Sequence, residues 1–207
     1  MKKGEYVDEK IILLRRNCQK RIRDYDLLTD EIPVRGKKIR FHWFSLFDGA
    51  FRMLLPGNFE QMPEQIAKVR YISSYRPPVI LSGPTYEENF GFHLLEDGND
   101  ELGGLIRKMQ DTVLRHAPET IVYGEDVIAS EGMEGRWFEY KNFTVDDETY
   151  NIQFLVRSDN RLLAGTFNCR MAYYDEWRPL VLKSLEQIER ADKGEKNEGR
   201  KDTHITF

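Results

Sequence analysis

Apolar residues recur every three or four positions in three long stretches of this chain. The stretches are residues 6–26, the segment from the turn at 97–100 to about His116, and residues 174–190. This spacing places apolar side chains on one face of an α-helix, so the pattern predicts three helices. A shorter helix is predicted over residues 63–69, where Pro63 suits the first turn.

Shorter apolar runs bounded by turn residues predict β-strands. Asp48-Gly49 separates two such runs, at residues 38–47 and 50–55, and this arrangement is typical of a hairpin. The remaining predicted strands cover residues 79–81, 90–94, 121–129, 135–144, 150–156 and 162–169. The last four follow one another through short turns, and such connections favour antiparallel neighbours.

The order of these elements predicts an α+β domain. We expect a mainly antiparallel sheet of about six strands with helices on its faces. Residues 1–35 are expected to form an N-terminal helical extension, residues 36–190 the domain, and residues 191–207 a disordered tail. The last prediction follows from residues 192–202, which are all charged residues, glycine or asparagine.

Composition narrows the classes of function. The 207 residues carry a net charge of -4 and are 40% apolar, which is enough for a sizeable core. A mildly acidic chain lacks the basic footprint of a nucleic-acid-binding protein, so no nucleic acid is expected as a partner. No apolar run reaches the ~20 residues needed to span a bilayer, and no secretory apolar region follows the basic start. Cys18 and Cys169 are interpreted as free buried thiols, and the expected compartment is the cytoplasm.

Neither a catalytic nor a metal-binding motif is recognisable in the sequence. The histidines share no short helical spacing, and there is no CxxC or HExxH. Phosphate-binding glycine loops and the Gly-x-Ser-x-Gly turn are missing as well. We therefore expect no catalytic residue, no metal and no cofactor. His42 and His93 lie on predicted strands and are interpreted as half-buried strand residues or, alternatively, as groups that converge in a cleft.

Two aromatic clusters supply the candidate binding residues. The predicted strand at residues 40–45 carries Trp43 and Phe44 on opposite faces, although one face of a half-buried sheet is ordinarily polar. Either both faces are covered or one of them meets a partner. The second cluster joins Tyr71, Tyr75 and Arg76, a combination common at interface centres, and its alternative is a structural Arg-Pro-Pro turn.

Several short motifs resemble those of the Mog1/PsbP-like α/β family. These are Leu-Leu-Pro-Gly-Asn-Phe at residues 54–59, Tyr-x-x-x-x-Arg-Pro-Pro at 71–78, a glycine and two aromatic residues at 135–140, and a tryptophan helix ending in Ser-Leu-x-x-Ile at 177–188. The resemblance covers residues 40–188 and implies an α/β/α sandwich. Members of that family include a regulator of a nuclear-transport GTPase, a photosystem subunit and bacterial effector chaperones. A binding role without catalysis is what the resemblance implies.

The expected function is that of an intracellular protein-binding adaptor or chaperone, without catalysis. Two alternatives stay open. One is an enzyme of unknown type that uses His42 and His93 in a cleft, and the other is a homodimer whose self-association is its main role. The expected partner is therefore another protein or a second copy of the chain, and no insertion into a membrane is expected.

Overall fold

A computed structural model describes residues 24–73, 75–130, 132–144 and 147–190, together with the backbone of Thr203–His204. The helix predicted over residues 6–26 lies outside this range except for its last three residues. The tail predicted to be disordered also lies outside it, apart from the two residues of the short strand at Thr203–His204.

Twelve strands and three α-helices make up the described part of the chain. The strands are β1 (Ile32–Val34), β2 (Lys37–Ile39), β3 (Phe41–Leu46), β4 (Phe51–Pro56), β5 (Glu60–Gln61), β6 (Val79–Ser82), β7 (Asn89–Glu96), β8 (Ile121–Ser130), β9 (Met133–Phe143), β10 (Glu148–Ser158), β11 (Arg161–Arg170) and β12 (Thr203–His204). The helices are α1 (Glu64–Arg70), α2 (Leu102–His116) and α3 (Tyr174–Glu186).

The main sheet is antiparallel throughout, as predicted, and its order is β5-β6-β7-β11-β10-β9-β8. It has seven strands rather than about six. The seventh is β5, whose two polar residues carry no apolar alternation that a sequence pattern can detect. Strands β8, β9, β10 and β11 follow one another through short turns, and each pairs with the next one in the chain. On its other side β11 pairs with β7, which comes earlier in the chain than β8.

The predicted hairpin at Asp48-Gly49 is confirmed, but it forms a separate small sheet with the order β12-β3-β4. Phe47, Asp48 and Gly49 all have positive φ, between 53° and 81°, which turns the chain sharply at this point. On the other edge of the hairpin, Arg52 and Glu189 exchange two backbone hydrogen bonds of 2.7 and 2.9 Å.

The core fills the space between one face of the main sheet, α3 and the small sheet. Trp177 on α3, Phe44 on β3 and Phe154 on β10 are all fully buried members of one cluster. Gly165 on β11 lies directly opposite Phe154, and a Cβ at this position would lie only 2.0 Å from the nearest ring atom. The glycine therefore makes room for the aromatic ring that fills the centre of this core.

Helix α2 covers the opposite face of the main sheet. Leu102 and Ile106 are buried on its inner side, and they pack with Phe138 on β9 and Leu155 on β10. The sheet is thus covered by α2 on one side and by α3 with the small sheet on the other. This is the layered α+β arrangement expected from the sequence.

A short hairpin formed by β1 and β2 also contributes to the core. Ile32 and Val34 are fully buried, and Leu27 just before the hairpin is buried as well. Arg35 and Gly36 form its two-residue turn, both with positive φ, which matches the twist of the strands. The sequence does not predict this hairpin, because its first strand falls within residues 1–35, which are expected to form a helical extension.

Two predicted helix ends are corrected by the structure. Helix α3 ends at Glu186 rather than near residue 190, since the chain then crosses to pair Glu189 with β4. The N-cap of α2 is Glu101 and not a residue of the 97–100 turn. In that turn the Asp97 carboxylate instead binds Arg157 on β10, at 2.8 Å from the guanidinium Nε.

Candidate binding site

Trp43 and Phe44 are neighbours on β3 but have different surroundings. Phe44 is 1% exposed and belongs to the main core. Trp43 is half-buried against the same core, with the Arg52 guanidinium 5.0 Å from its ring centroid. Phe44 is therefore covered within the protein, and of the two predicted residues only Trp43 offers a surface to a partner.

The other three predicted residues lie in the segment that follows α1. Tyr71 is half-buried, its hydroxyl accepts a hydrogen bond of 3.1 Å from Asn168 Nδ2 on β11, and burial raises its pKa. Tyr75 is 88% exposed, while Arg76 is half-buried and its backbone N–H donates to Ser73. Tyr71 therefore anchors the segment on the main sheet, and Tyr75 projects from it.

Other apolar side chains of this segment are equally exposed. Ile72 is 89% exposed and Val69 is 75% exposed. Val69 is on the last turn of α1, and Ile72 and Tyr75 follow in the segment that leads to β6. We call this group of three exposed apolar residues the α1–β6 loop. Exposed apolar groups of this kind often mark contact surfaces, so the loop remains one candidate for partner binding.

His42 and His93 do not share a cleft. His42 is exposed on β3 of the small sheet, whereas His93 lies on β7 opposite Ala164, on the face of the main sheet that α2 covers. The main sheet separates that face from the small sheet. Burial lowers the pKa of His93, as expected for a half-buried strand residue. Within the described ranges, no group of three or more His, Cys, Asp or Glu side chains is arranged to hold a metal ion.

Cys169 is a free, buried thiol, as predicted. It points into the main core from β11, and burial raises its pKa well above the ordinary value. A thiol is a nucleophile only when it is deprotonated, so this residue packs as a small apolar side chain. Cys18 lies outside the described residues.

A buried ionic cluster joins α3 to the main sheet. The Glu139 carboxylate on β9 is 5% exposed and accepts two hydrogen bonds from Arg178, at 2.7 and 2.8 Å, and a third from the Tyr150 hydroxyl. Burial and the adjacent carboxylate raise the pKa of Tyr150. The hydroxyl therefore remains a donor, and every charge in the cluster is paired. Sequence reasoning did not find this cluster, because its three members are distant in the chain.

The far edge of the main sheet has a surface that the sequence did not suggest. Strand β8 ends the sheet, and within the described chain β9 is its only strand neighbour. Its ten residues are mostly exposed, including Ile121 at 45%, Tyr123 at 46% and Val127 at 55%. The Asp126 carboxylate accepts a hydrogen bond of 2.8 Å from the Val127 N–H, so an added strand would have to displace this contact. A long edge strand with apolar side chains is a template for another strand.

Strand β8 also carries a local negative charge. Glu125 and Asp126 occupy its centre, and there is no Lys or Arg within the strand. Glu125 lies on the α2 side, where it accepts a hydrogen bond of 2.6 Å from Gln110. A bulge between Val122 and Gly124 interrupts the register with β9. The stretch that can add a regular strand is therefore residues 124–130.

A cleft of about 860 Å³ opens at one end of the molecule. Its walls include the β3–β4 turn, the end of β7 and the β10–β11 turn. Asp159 and Arg190 line it and form an ion pair with each other. The size is that of a small-molecule site, and this ion pair balances two of the charges that line it.

No protein-family model matches this chain, and no curated protein matches it at a significant level. Solved structures do match. The cyanobacterial PsbP from Synechocystis sp. PCC 6803 is 10% identical and superposes with a TM-score of 0.56, over 72% of this chain and 92% of that chain. LpqN from Mycobacterium tuberculosis, described as involved in cell envelope biogenesis, is 12% identical with a TM-score of 0.50, over 77% of this chain and 95% of that chain. At these identities the likeness concerns the fold and not the function, and it confirms that this chain has the Mog1/PsbP-like fold.

Proposed function

We propose that this chain is a non-catalytic protein-binding module that adds an extended, basic segment of its partner to the edge of β8. The exposed ten-residue edge strand is the observation that supports this proposal. Backbone hydrogen bonds along residues 124–130 would supply affinity without regard to sequence. The exposed side chain of Val127 within this stretch, and that of Val122 just before the bulge, would select apolar residues in the partner.

The charge of β8 selects the kind of partner. Cross-strand neighbours of opposite charge stabilise a sheet, and neighbours of like charge destabilise it. Glu125 and Asp126 therefore favour a strand with lysine or arginine at the facing positions. They oppose self-association, because β8 of a second copy carries the same two acidic residues and no lysine or arginine to face them. A homodimer through this edge is accordingly the weaker alternative.

The geometry gives no comparable support to the enzyme alternative, since the main sheet separates the faces on which His42 and His93 lie. The α1–β6 loop is the competing contact surface. It projects at the opposite end of the main sheet from β8, because it connects to β6 near the β5 edge. Variants at the two ends therefore distinguish the two surfaces.

Affinity capture of the tagged protein from its own cells tests the proposal. The cytoplasm is the compartment predicted from the sequence, so we expect the partner among its proteins. The double variant Val122→Lys, Val127→Lys places two positive charges on β8 and should abolish recovery of the partner. The matched control Val69→Lys, Ile72→Lys makes the same chemical change in the α1–β6 loop and should recover it at the wild-type level.

Thermal melting must first show that both double variants are folded, as expected for substitutions at exposed positions. Equal recovery by the β8 variant and the wild type would overturn the proposal. Loss of the partner in the control alone would assign the contact to the α1–β6 loop. Light scattering on the purified protein identifies the homodimer alternative.

A further inference from the structure

A small cavity lies beside the β1–β2 hairpin, far from the main-sheet edge used above. Its volume is about 120 Å³. The rim is exposed and includes Arg35, Lys37 and Thr85, whereas Phe59, Glu88 and Trp177 line it from the buried side. The cavity thus runs from solvent to the core, between the hairpin, the β6–β7 turn and α3.

Trp177 is the residue that makes this cavity unusual. Its side chain is 2% exposed, and its indole Nε1 has no hydrogen-bond partner among the residues that the structure describes. The ring is held by Phe59 and Phe167, with centroids 5.8 and 5.7 Å away. Indole N–H groups that are buried in proteins usually find a partner, because an unpaired buried donor is costly. A ligand with an acceptor atom would satisfy it.

Glu88 adds an acceptor to the same cavity. Its side chain is 6% exposed, and its Oε1 is bound at 2.6 Å by Arg35, which also binds Glu87. The second oxygen, Oε2, lies over Gly83, where a Cβ would come within 3.2 Å of it and of the Phe59 ring. A glycine at position 83 therefore keeps this corner of the cavity open.

We propose that this cavity binds a small neutral amide, either a free molecule or a group of a larger ligand. The indole N–H of Trp177 would donate to the amide oxygen, and Glu88 would accept from the amide nitrogen. Val34, Ile39 and Phe59 would contact the carbon atoms. A cavity of roughly 150 Å³ holds the six carbon atoms of benzene, so this one of about 120 Å³ encloses about five non-hydrogen atoms, and a sixth would lie at its open rim.

The charges around the cavity favour a neutral ligand. An anion would face the buried Glu88 carboxylate, because Arg35 is already bound by Glu87 and Glu88, and Lys37 lies at the exposed rim. A cation would face the positive end of the Trp177 N–H bond and the Arg35 guanidinium. An amide avoids both conflicts, because it offers one acceptor and one donor without a net charge.

The indole N–H resonances of the three tryptophans give a direct test. In nitrogen-15 correlation spectra of the whole chain, each can be assigned with the variants Trp43→Phe, Trp137→Phe and Trp177→Phe. Titration with 2-pyrrolidinone, a six-atom cyclic amide, should move the Trp177 resonance saturably at millimolar concentration and leave that of Trp43 in place. Cyclopentanone has the same shape and lacks the N–H, so it should bind roughly threefold to tenfold more weakly, the range for one lost hydrogen bond.

Two variants test the location. Gly83→Ala should abolish the saturable shift of Trp177, because its Cβ occupies the open corner. If this variant is poorly folded, Trp177→Phe replaces it, with the backbone amides of Gly83 and Glu88 as reporters and a threefold to tenfold weaker affinity expected. The proposal is overturned if 2-pyrrolidinone causes no saturable shift of Trp177. It is also overturned if cyclopentanone binds equally well, or if Gly83→Ala leaves the affinity of a folded protein unchanged.

Discussion

Replacing Glu139 with glutamine should destabilise the fold by about 3 kcal/mol, because it leaves the guanidinium of Arg178 without its counter-charge. The carboxylate is 5% exposed, and Arg178 binds it through two nitrogens at 2.7 and 2.8 Å. Breaking a fully buried pair by removing one partner costs about 3–5 kcal/mol. The Arg178 side chain is 20% exposed, so water can solvate part of its charge. The lower end of the range of about 3–5 kcal/mol therefore applies.

Thermal melting measures this effect. A loss of 3 kcal/mol corresponds to a decrease of about 6–12 °C in the midpoint for a chain of this size. The matched control is Glu64→Gln, which removes one partner of the exposed Glu64–Lys68 pair on α1 and should leave the midpoint unchanged. The triple variant Glu139→Leu, Arg178→Met, Tyr150→Phe removes both charges and the hydroxyl that donates to Glu139, and it should be more stable than Glu139→Gln, since no buried polar group of the cluster is left unpaired.

An unchanged midpoint for Glu139→Gln would refute this reasoning. It would mean that water reaches Arg178 well enough to replace the carboxylate. A triple variant that is less stable than Glu139→Gln would refute it in another way. The cluster would then stabilise the protein through its hydrogen bonds and shape rather than through the pairing of charge.

Three further predictions concern the core and its titration. Gly165→Ala should destabilise the protein by about 1–3 kcal/mol in denaturant unfolding, because its Cβ overlaps the Phe154 ring; an unchanged midpoint would show that the ring has room to move. Burial raises the pKa of Tyr140 to about 12, so the stability that its protonated form contributes is present below pH 10 and is lost as pH rises toward 12. Tyr140→Phe should therefore lose less stability than the wild type between pH 9 and pH 12, and an identical loss would contradict the assignment. Trp43→Ala should lower the melting temperature while partner binding persists, because the ring packs on the core and belongs to the small sheet and not to β8; loss of binding without loss of stability would return Trp43 to the contact surface.

The elements with strong periodicity were predictable from the sequence. The apolar face of α2 and the alternation along β10 each belong to one segment, so local patterns reveal them. Strand β5 has two polar residues and no such pattern. The β1–β2 hairpin has a weak signal in the sequence, since Ile32 and Val34 alternate before the Arg35-Gly36 turn, but two apolar residues in a three-residue strand are too few to predict it.

The candidate surfaces were less predictable, because they depend on how distant segments meet. The sequence indicates a strand near residues 121–129, yet its position at the edge of the sheet follows from the order of all seven strands. Phe44 and Trp43 are both aromatic residues of one strand, so the sequence does not show which of them is buried. The packing of the small sheet against the core buries Phe44 fully and Trp43 only in part. Similarly, the cavity at Trp177 requires α3 to meet the hairpin and the β6–β7 turn, which are about 90 or more residues away in the chain.

The most direct test of the proposed function is a photocrosslinking residue placed at position 127 of β8 in the tagged protein. After irradiation in its own cells, mass spectrometry identifies the peptide that is attached. The account predicts one dominant partner, crosslinked through an extended segment rich in lysine or arginine, and a matched crosslinker at position 72 should not capture it. Capture of the same partner from position 72 alone, or a monomer with no crosslink at position 127, would contradict the account.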